Sequence, residues 1–402
     1  MRRPAWALLV LFVFAIPWEY SLDFPAPYGN IARVLGILTV LAAVPAVLQA
    51  GTFRRLSAIH WLTLALYLWF CATFFWTVTP HETLTHLRGY AQEMMLVWLV
   101  WEFAQTQESL RLLLRAWLAG SWVLAILTIT AFLFVVGSAA DQARFAAAGQ
   151  DPNDAARFLC FGFPIAGLLL DETESRFERA LWLCYFPAGF AGVLLTASRS
   201  GLLVAMVALA GCGIAGFRRR PKAVVIGGLS VTLATLLIFS VAPPETLTRL
   251  GTTAEIWQRG DLNQRVNIWS AGWQAFERAP VIGHGVGSFA IAAGLGPEDT
   301  AHNTVLSIVV ESGLCGLALA MAVFVFSVKA VFSTRGRLKA GLLVLMLVWA
   351  ISSLTGTVWE NRQTWLLFGI AAAWQGLGED ATIEMVAFKT LNTRPEGSAG
   401  WV

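Results

Sequence analysis

About twelve apolar runs, most of them near the length that crosses a lipid bilayer, dominate this sequence. Hydrophobic residues make up 57% of the chain and charged residues 13%, whereas a soluble domain carries about a quarter charged residues. The runs centre near residues 5–18, 33–50, 58–78, 90–104, 116–136, 157–170, 180–197, 200–217, 223–242, 303–328, 340–356 and 364–377. We therefore predict an all-α polytopic membrane protein with about twelve transmembrane helices in residues 1–378, followed by a polar, disordered tail over residues 379–402.

The distribution of Lys and Arg predicts how these runs cross the membrane. Cytoplasmic loops carry the excess of basic residues. When the N-terminus is placed in the cytoplasm, every lysine and most arginines fall on that side through all the crossings. Both termini, and the tail, are therefore predicted to be cytoplasmic. Two long loops then lie outside, at roughly 137–157 and 243–302.

The longer outside loop contains an amphipathic pattern. Asp261, with Gln264 three residues later, has the spacing of a helix-capping box. Apolar residues then recur at helical spacing, namely Val266, Trp269, Trp273 and Phe276. Pro280 ends the run, and a glycine-rich turn follows. We predict a helix that lies either on the outer membrane surface or on the other spans.

Two arginines and a histidine fall at the outside boundaries of the apolar runs. Arg199 joins two runs with almost no loop, Arg265 lies in the amphipathic helix, and His302 opens the next span. A snorkelling arginine, a solvated charge and an interfacial histidine are the ordinary explanations. Charge at a membrane boundary is nevertheless costly unless it is paired or used. Three such groups on one side indicate a site for an anionic, membrane-borne substrate.

His302 has the features of a general base. It is predicted to lie in the first turn of a helix, where the helix dipole disfavours an imidazolium. Nearby arginines also disfavour the charged imidazolium. A histidine that stays neutral near pH 7 can accept a proton from a hydroxyl group. Asn303 beside it can hydrogen-bond a sugar or a phosphate.

Signals for metal or nucleic acid are weak. Asp151 and Asp154 lie in a turn and could hold a cation, but two carboxylates make a poor site. His81 and His86 are five residues apart, so they do not share a helix face as zinc ligands do. Glu311 lies inside the tenth run and is predicted to pair with another span. No metal site is predicted, and no basic stripe suggests nucleic acid.

In their order along residues 144–317, these motifs resemble the O-antigen ligase and O-antigen polymerase superfamily, which also includes bacterial protein O-oligosaccharyltransferases. The resemblance rests on an Arg-Phe…Asp-Pro-Asn element at 144–153, Ser-Arg-Ser-Gly at 198–201, a Trp- and Arg-bearing helix at 265–273, a Pro-x-x-Gly-x-Gly-x-Gly-Ser-Phe turn at 280–289, His-Asn at 302–303 and a Glu-x-Gly-x-x-Gly-Leu run at 311–317.

The resemblance implies a GT-C-like membrane glycosyltransferase that needs no cofactor. Such enzymes take a glycan from undecaprenyl pyrophosphate at the periplasmic face of the bacterial inner membrane. The ligase transfers it to a sugar of lipid A-core in lipopolysaccharide biosynthesis, so the partners would be that donor, that acceptor and membrane lipids. The resemblance makes His302 the base and places Arg199 and Arg265 on the donor pyrophosphate. It also implies substrate-binding roles for Arg144, Asn153, Arg157, Arg278, His284 and Asn303.

Ligase, polymerase and protein transferase share these residues. Polymerases often carry two long outside loops, whereas this chain of 402 residues has one dominant loop before the histidine span, which favours the ligase. Direct attack of an acceptor hydroxyl on the anomeric carbon predicts that the configuration inverts. The alternative from a different class is a transporter of lipid-linked glycan, with the arginines as a passive anion site.

Overall fold

The computed structural model describes residues 2–25, 29–51, 53–135, 144–217, 219–251, 265–297, 299–333 and 338–392. Within them the chain is almost entirely helical. The helices are α1 (Arg2–Ala15), a 3-10 helix (Ile16–Ser21), α2 (Ile31–Ala50), α3 (Ala58–Thr73), α4 (Pro80–Phe103), α5 (Gln107–Val135), α6 (Pro152–Glu172), α7 (Arg176–Leu195), α8 (Arg199–Phe217), α9 (Pro221–Val241), α10 (Pro244–Gly251), α11 (Arg265–Arg278), α12 (Phe289–Ala292), α13 (Thr304–Ser333), α14 (Leu338–Thr355) and α15 (Arg362–Asn392). Strands β1 (Asp23–Phe24) and β2 (Gly29–Asn30) pair antiparallel in a short ribbon that the all-α prediction did not include.

Each predicted apolar run coincides with a helix, which confirms the prediction of an all-α polytopic membrane protein. In the described part of the chain, eight helices are long and apolar enough to cross a membrane. They are Arg2–Ser21, Ile31–Ala50, Gln107–Phe134, Pro152–Glu172, Arg199–Gly216, Pro221–Val241, Thr304–Ser333 and Leu338–Thr355. The other predicted runs form α3, α4, α7 and α15. Twelve crossings therefore stay a prediction.

The last helix is longer than predicted. Helix α15 continues to Asn392, so a helix occupies residues 379–392, where we expected a disordered tail. That expectation came from the polar composition of the segment. Ala, Glu, Met and Lys in it are nevertheless good helix formers, and polarity by itself does not end a helix.

The amphipathic helix α11 forms, but it buries a different face from the predicted one. Ile268, Gly272 and Ala275 are buried, and they pack towards α12 and α13. Val266 is 45% exposed and Trp273 54% exposed, so two members of the predicted stripe point outwards. The helix was predicted to lie either on the outer membrane surface or on the other spans, and it packs on the other spans. The capping box at Asp261 and Gln264 lies outside the described residues.

A break in α13 is joined to the glycine-rich turn. Gly313 interrupts the helix with φ +66 and ψ −170, which leaves carbonyls before it and amides after it without helical partners. Residues of the turn supply those partners through backbone hydrogen bonds. The bonds are His284 N to Val310 O (2.9 Å), Gly285 N to Glu311 O (2.8 Å), Leu314 N to Pro280 O (2.9 Å) and Cys315 N to Val281 O (3.2 Å). The long loop is thereby fixed against the centre of a predicted span.

Candidate functional site

A polar cavity of about 850 Å³ lies at the end of the bundle where α6 and α13 begin. It is bounded by the N-terminal turn of α6, the first turns of α4, the segment before α13 and the loop between α14 and α15. Its lining includes His86, Asn153, Arg157, His302, Glu311 and Glu360. Several residues that are far apart in sequence therefore face one space that can hold a ligand.

His302 lies just before the helix, and the prediction that it belongs to the first turn is wrong. Helix α13 begins at Thr304, and Asn303 caps it, since its Oδ1 accepts a hydrogen bond from Leu306 N at 3.0 Å. His302 has a left-handed backbone with φ +46, which is unusual for a residue other than glycine. Thr300 Oγ1 lies 3.3 Å from its Nδ1.

The environment of His302 favours the neutral imidazole. Burial, and then the cations Arg265 and Arg157, hold the pKa of His302 below its ordinary value, and Asp151 and Asp154 only partly offset them. The prediction that His302 is held in its neutral form is therefore confirmed in direction. The main physical cause is desolvation, followed by the arginines, because His302 precedes the helix instead of lying within its first turn.

Arg265 is the first residue of α11 and is half-buried beside this site. Its Nη1 donates to the carbonyl of Thr355 at the end of α14, at 3.2 Å. Burial and the neighbouring Arg157 lower the pKa of Arg265 from its usual range. Two guanidinium groups are thus held near His302, and an anionic group beside Arg265 would be stabilised there.

The predicted loop at 144–153 forms the cap of α6. The Oδ1 of Asp151 accepts from the amides of Asn153 (2.8 Å) and Asp154 (3.2 Å), as an N-cap does. Asn153 Oδ1 accepts from Arg144 Nη2 at 2.8 Å and from Ser198 Oγ at 2.9 Å. Burial is the main cause of the lowered pKa of Arg144. The cap therefore links the loop to the residue before Arg199.

Arg157 is buried against the carboxylate of Asp154, with which it forms an ion pair. Asp151 is already occupied as a helix cap. The two carboxylates that were considered for a cation thus both have partners within the protein. Among the residues that the structure describes, no group of three or more His, Cys, Asp or Glu side chains is placed to hold a metal ion.

Arg199 lies outside the lining of the large cavity. Its Nε donates to the carbonyl of Arg249 at 2.9 Å, and Arg249 Nε donates back to the carbonyl of Ala197 at 3.3 Å. Both arginines line a second, more open space of about 440 Å³ beside α10. Arg249 was not among the residues predicted from the sequence. Its position in the last turn of a short, strongly amphipathic helix was the available signal.

Arg278 and His284 also lie outside the cavity lining. Arg278 contacts the carbonyl of Ala292, and His284 Nε2 donates to the carbonyl of Ala275 at 2.8 Å. The first contact joins α11 to α12, and the second holds the glycine-rich turn against α11. Asn303 Nδ2 donates to the carbonyl of Leu354 at 3.3 Å while its Oδ1 caps α13.

Glu311, His86 and Glu360 are among the cavity residues that were not predicted as site residues. Glu311, 6% exposed, faces His86 of α4 and Glu360. His86 Nε2 lies 3.9 Å from Glu360 Oε2. For the predicted pairing of Glu311 with another span, His86 of α4 is thus the basic side chain that interacts with it. The sequence feature that marked Glu311 was a carboxylate inside an apolar run. Its position on the cavity wall became visible only from the packing of the helices.

Fold and site together define a polytopic helical membrane protein with a half-buried polar site at one end of its bundle, lined by His302 and Arg157 and bordered by Arg265. Residues 184–321 match the family model described as O-antigen ligase. The match confirms the resemblance to the O-antigen ligase and polymerase superfamily and supports a function of that general type. The matched segment runs from α7 into α13 and excludes the loop at 144–157. Comparison with curated proteins gave no match.

Proposed function

We propose that this protein is an O-antigen ligase. It transfers a glycan from undecaprenyl pyrophosphate to a sugar hydroxyl of lipid A-core, at the periplasmic face of the bacterial inner membrane. The observation that carries the proposal is the placement of His302, with a lowered pKa, beside Arg265 and Arg157 at a cavity of about 850 Å³. The family match supports a glycan of the O-antigen type as the group that is transferred.

His302 is the base of the proposed reaction. The neutral imidazole accepts the proton of the acceptor hydroxyl as its oxygen attacks the anomeric carbon of the donor sugar. The bond from that carbon to the pyrophosphate oxygen breaks in the same step. A single displacement of this kind inverts the anomeric configuration.

The arginines stabilise the departing pyrophosphate. Negative charge grows on the leaving group as the glycosidic bond breaks, so fixed cations stabilise the transition state more than the ground state. A guanidinium group binds phosphate oxygens in a bidentate manner. Arg265 is the nearest of the proposed pair to His302, and Arg199 with Arg249 lies at the open space beside α10. In this scheme the arginines take the place of a metal ion.

The deciding experiment supplies purified protein in lipid nanodiscs with a glycan on undecaprenyl pyrophosphate and with lipid A-core. A ligase caps lipid A-core, retains its activity in EDTA and gives an inverted linkage by NMR of the product. Elongation of the lipid-linked glycan itself would make the protein a polymerase, and glycan on a polypeptide acceptor would make it a protein transferase. Movement of intact donor across a vesicle membrane without cleavage would make it a transporter. Retained configuration would exclude the single displacement.

A further inference from the structure

Carboxylates outnumber cations on the wall of the large cavity. The acidic lining residues are Glu82, Asp151, Asp154, Asp299, Glu311 and Glu360. Arg157 is the one lining arginine among the residues that the structure describes. A phosphate group deep in this space would meet like charge, whereas a sugar hydroxyl would find acceptors for its proton. The cavity therefore suits the sugar of the acceptor, whereas the arginines beside it suit the pyrophosphate of the donor.

Glu311, Glu360 and His86 form a compact cluster on this wall, hereafter the acidic cluster. His86 Nδ1 donates to the carbonyl of Glu82 at 2.9 Å, so its Nε2 faces the cavity side where Glu360 lies. The separation of 3.9 Å between His86 Nε2 and Glu360 Oε2 is too long for a hydrogen bond. His86 Nε2 is therefore not hydrogen-bonded to Glu360 and can contact a ligand, and Glu360, which also has a hydrogen bond with Tyr90, has further lone pairs for one.

The glycine-rich turn builds the acidic cluster. Gly287 has φ +77, and a Cβ atom at this position would overlap the ring of His86. The carboxyl group of Glu311 lies within reach of the backbone amides of Gly287 and Phe289. The absence of a side chain at residue 287 thus lets the turn hold His86 close to Glu311. The arrangement depends on the fold and is not a chance grouping of surface acids.

Unused donors border the same cavity. Arg157, whose side chain is 6% exposed, has no partner for its Nε and Nη1 within the described part of the chain. Thr357 Oγ1 and Asn361 Nδ2 are likewise buried without a partner among the described residues. All three residues line the cavity. Leaving buried polar groups unpaired is unfavourable, so these groups indicate a polar ligand.

Donors and acceptors on one wall match a sugar, because each hydroxyl group both donates and accepts. The cavity volume of about 850 Å³ lies within the range of small-molecule sites. We infer that the acidic cluster binds the acceptor and selects a sugar that carries free hydroxyl groups and no phosphate, holding it near His302. This inference rests on the proposed function and adds the residues that choose the acceptor.

The test compares Glu311→Gln and Glu360→Gln with a matched control, Glu277→Gln. Glu277 is exposed on α11, outside the cavity lining, and accepts a hydrogen bond from Trp273 that glutamine can also accept. Glu360 lies between α14 and α15 with its side chain 36% exposed, so its replacement does not disturb a packed core. Full-length protein in nanodiscs is titrated calorimetrically with core oligosaccharide, before and after its phosphates are removed enzymatically. Acceptor and donor KM are measured in parallel.

Each cluster variant should weaken binding of the dephosphorylated oligosaccharide by roughly tenfold to a hundredfold, the effect of losing a charge-assisted hydrogen bond. Acceptor KM should rise in proportion, with donor KM and kcat at saturating acceptor close to the values of the control. Wild-type protein should bind the dephosphorylated oligosaccharide better than the phosphorylated one, and the variants should discriminate less.

Three results would overturn the inference: no binding of either oligosaccharide by wild-type protein, cluster variants that bind like the control, or a loss confined to kcat. Failure of the proposed function looks different. Wild-type protein that binds the oligosaccharide with the expected dependence on Glu311 and Glu360, but transfers no glycan to lipid A-core, would remove the ligase and keep the acceptor site.

Discussion

Arg265→Ala should change both the rate and the pH dependence of transfer. Arg265 is the largest influence on the lowered pKa of His302 after burial. Its removal should raise the pKa of His302 towards the ordinary value, but not to it, because burial and Arg157 remain. The base must be neutral to act. The acidic limb of the kcat/KM profile should therefore move to higher pH in the variant.

The loss of transfer rate in Arg265→Ala separates the effect of Arg265 on the pKa of His302 from its contact with the donor. Well above the pKa of His302 the base is neutral in both proteins, so the difference that remains there reports contact with the donor. A charge-assisted hydrogen bond contributes about 1.5–3 kcal/mol, which corresponds to roughly tenfold to a hundredfold in rate. Arg265→Lys should keep the acidic limb near its original position, because the charge stays, and should restore the rate only in part, because lysine lacks the planar fork.

Loss of the charge-assisted hydrogen bond from Arg265 to the carbonyl of Thr355 should cost about 1.5–3 kcal/mol, which is less than the total stability of about 5–15 kcal/mol that is typical of folded proteins. The variant should therefore remain folded, which its thermal unfolding would show. Arg88→Ala is the control, since Arg88 is exposed on α4. The profile is measured with purified protein and saturating acceptor. An acidic limb that stays in place or moves to lower pH in Arg265→Ala would refute the coupling between Arg265 and His302.

Three further predictions concern the base, the orientation and the helix break. His302→Gln should lower transfer at least about a hundredfold, because glutamine cannot accept the proton; near-normal turnover would reduce His302 to a binding residue. A cysteine at Pro297 should react with impermeant thiol reagents in whole cells and one at Lys222 should not, and the reverse pattern would place the site in the cytoplasm. Gly313→Ala should destabilise the protein by about 1–3 kcal/mol, because φ is +66 and a Cβ atom would meet a backbone carbonyl of the turn. Gly213→Ala, in open space on α8, is its control in thermal unfolding, and equal behaviour of the two would contradict this explanation of the break.

Much of the candidate site was predictable because its residues stand at helix boundaries, which sequence patterns locate well. His302, Arg265 and Arg157 were all selected from the sequence, and the structure brings them together. Glu311 and His86 were considered and set aside as site residues. His86 was judged by its spacing from His81, and Glu311 was predicted only to pair with another span. Neither argument identifies which residues of other helices lie beside these two side chains.

The sequence by itself determined the class of this protein and the approximate position of nearly every helix. The length and apolarity of a span are local properties, and a helix satisfies its backbone within its own segment. The tertiary structure decided which helix faces meet. It turned Val266 and Trp273 of α11 outwards, placed Arg199 beside Arg249 and away from the large cavity, and joined the glycine-rich turn to α13 at Gly313. Rotation about a helix axis and contacts between distant segments depend on how side chains of several helices pack together. The cavity and its acidic cluster therefore became visible only in the folded chain.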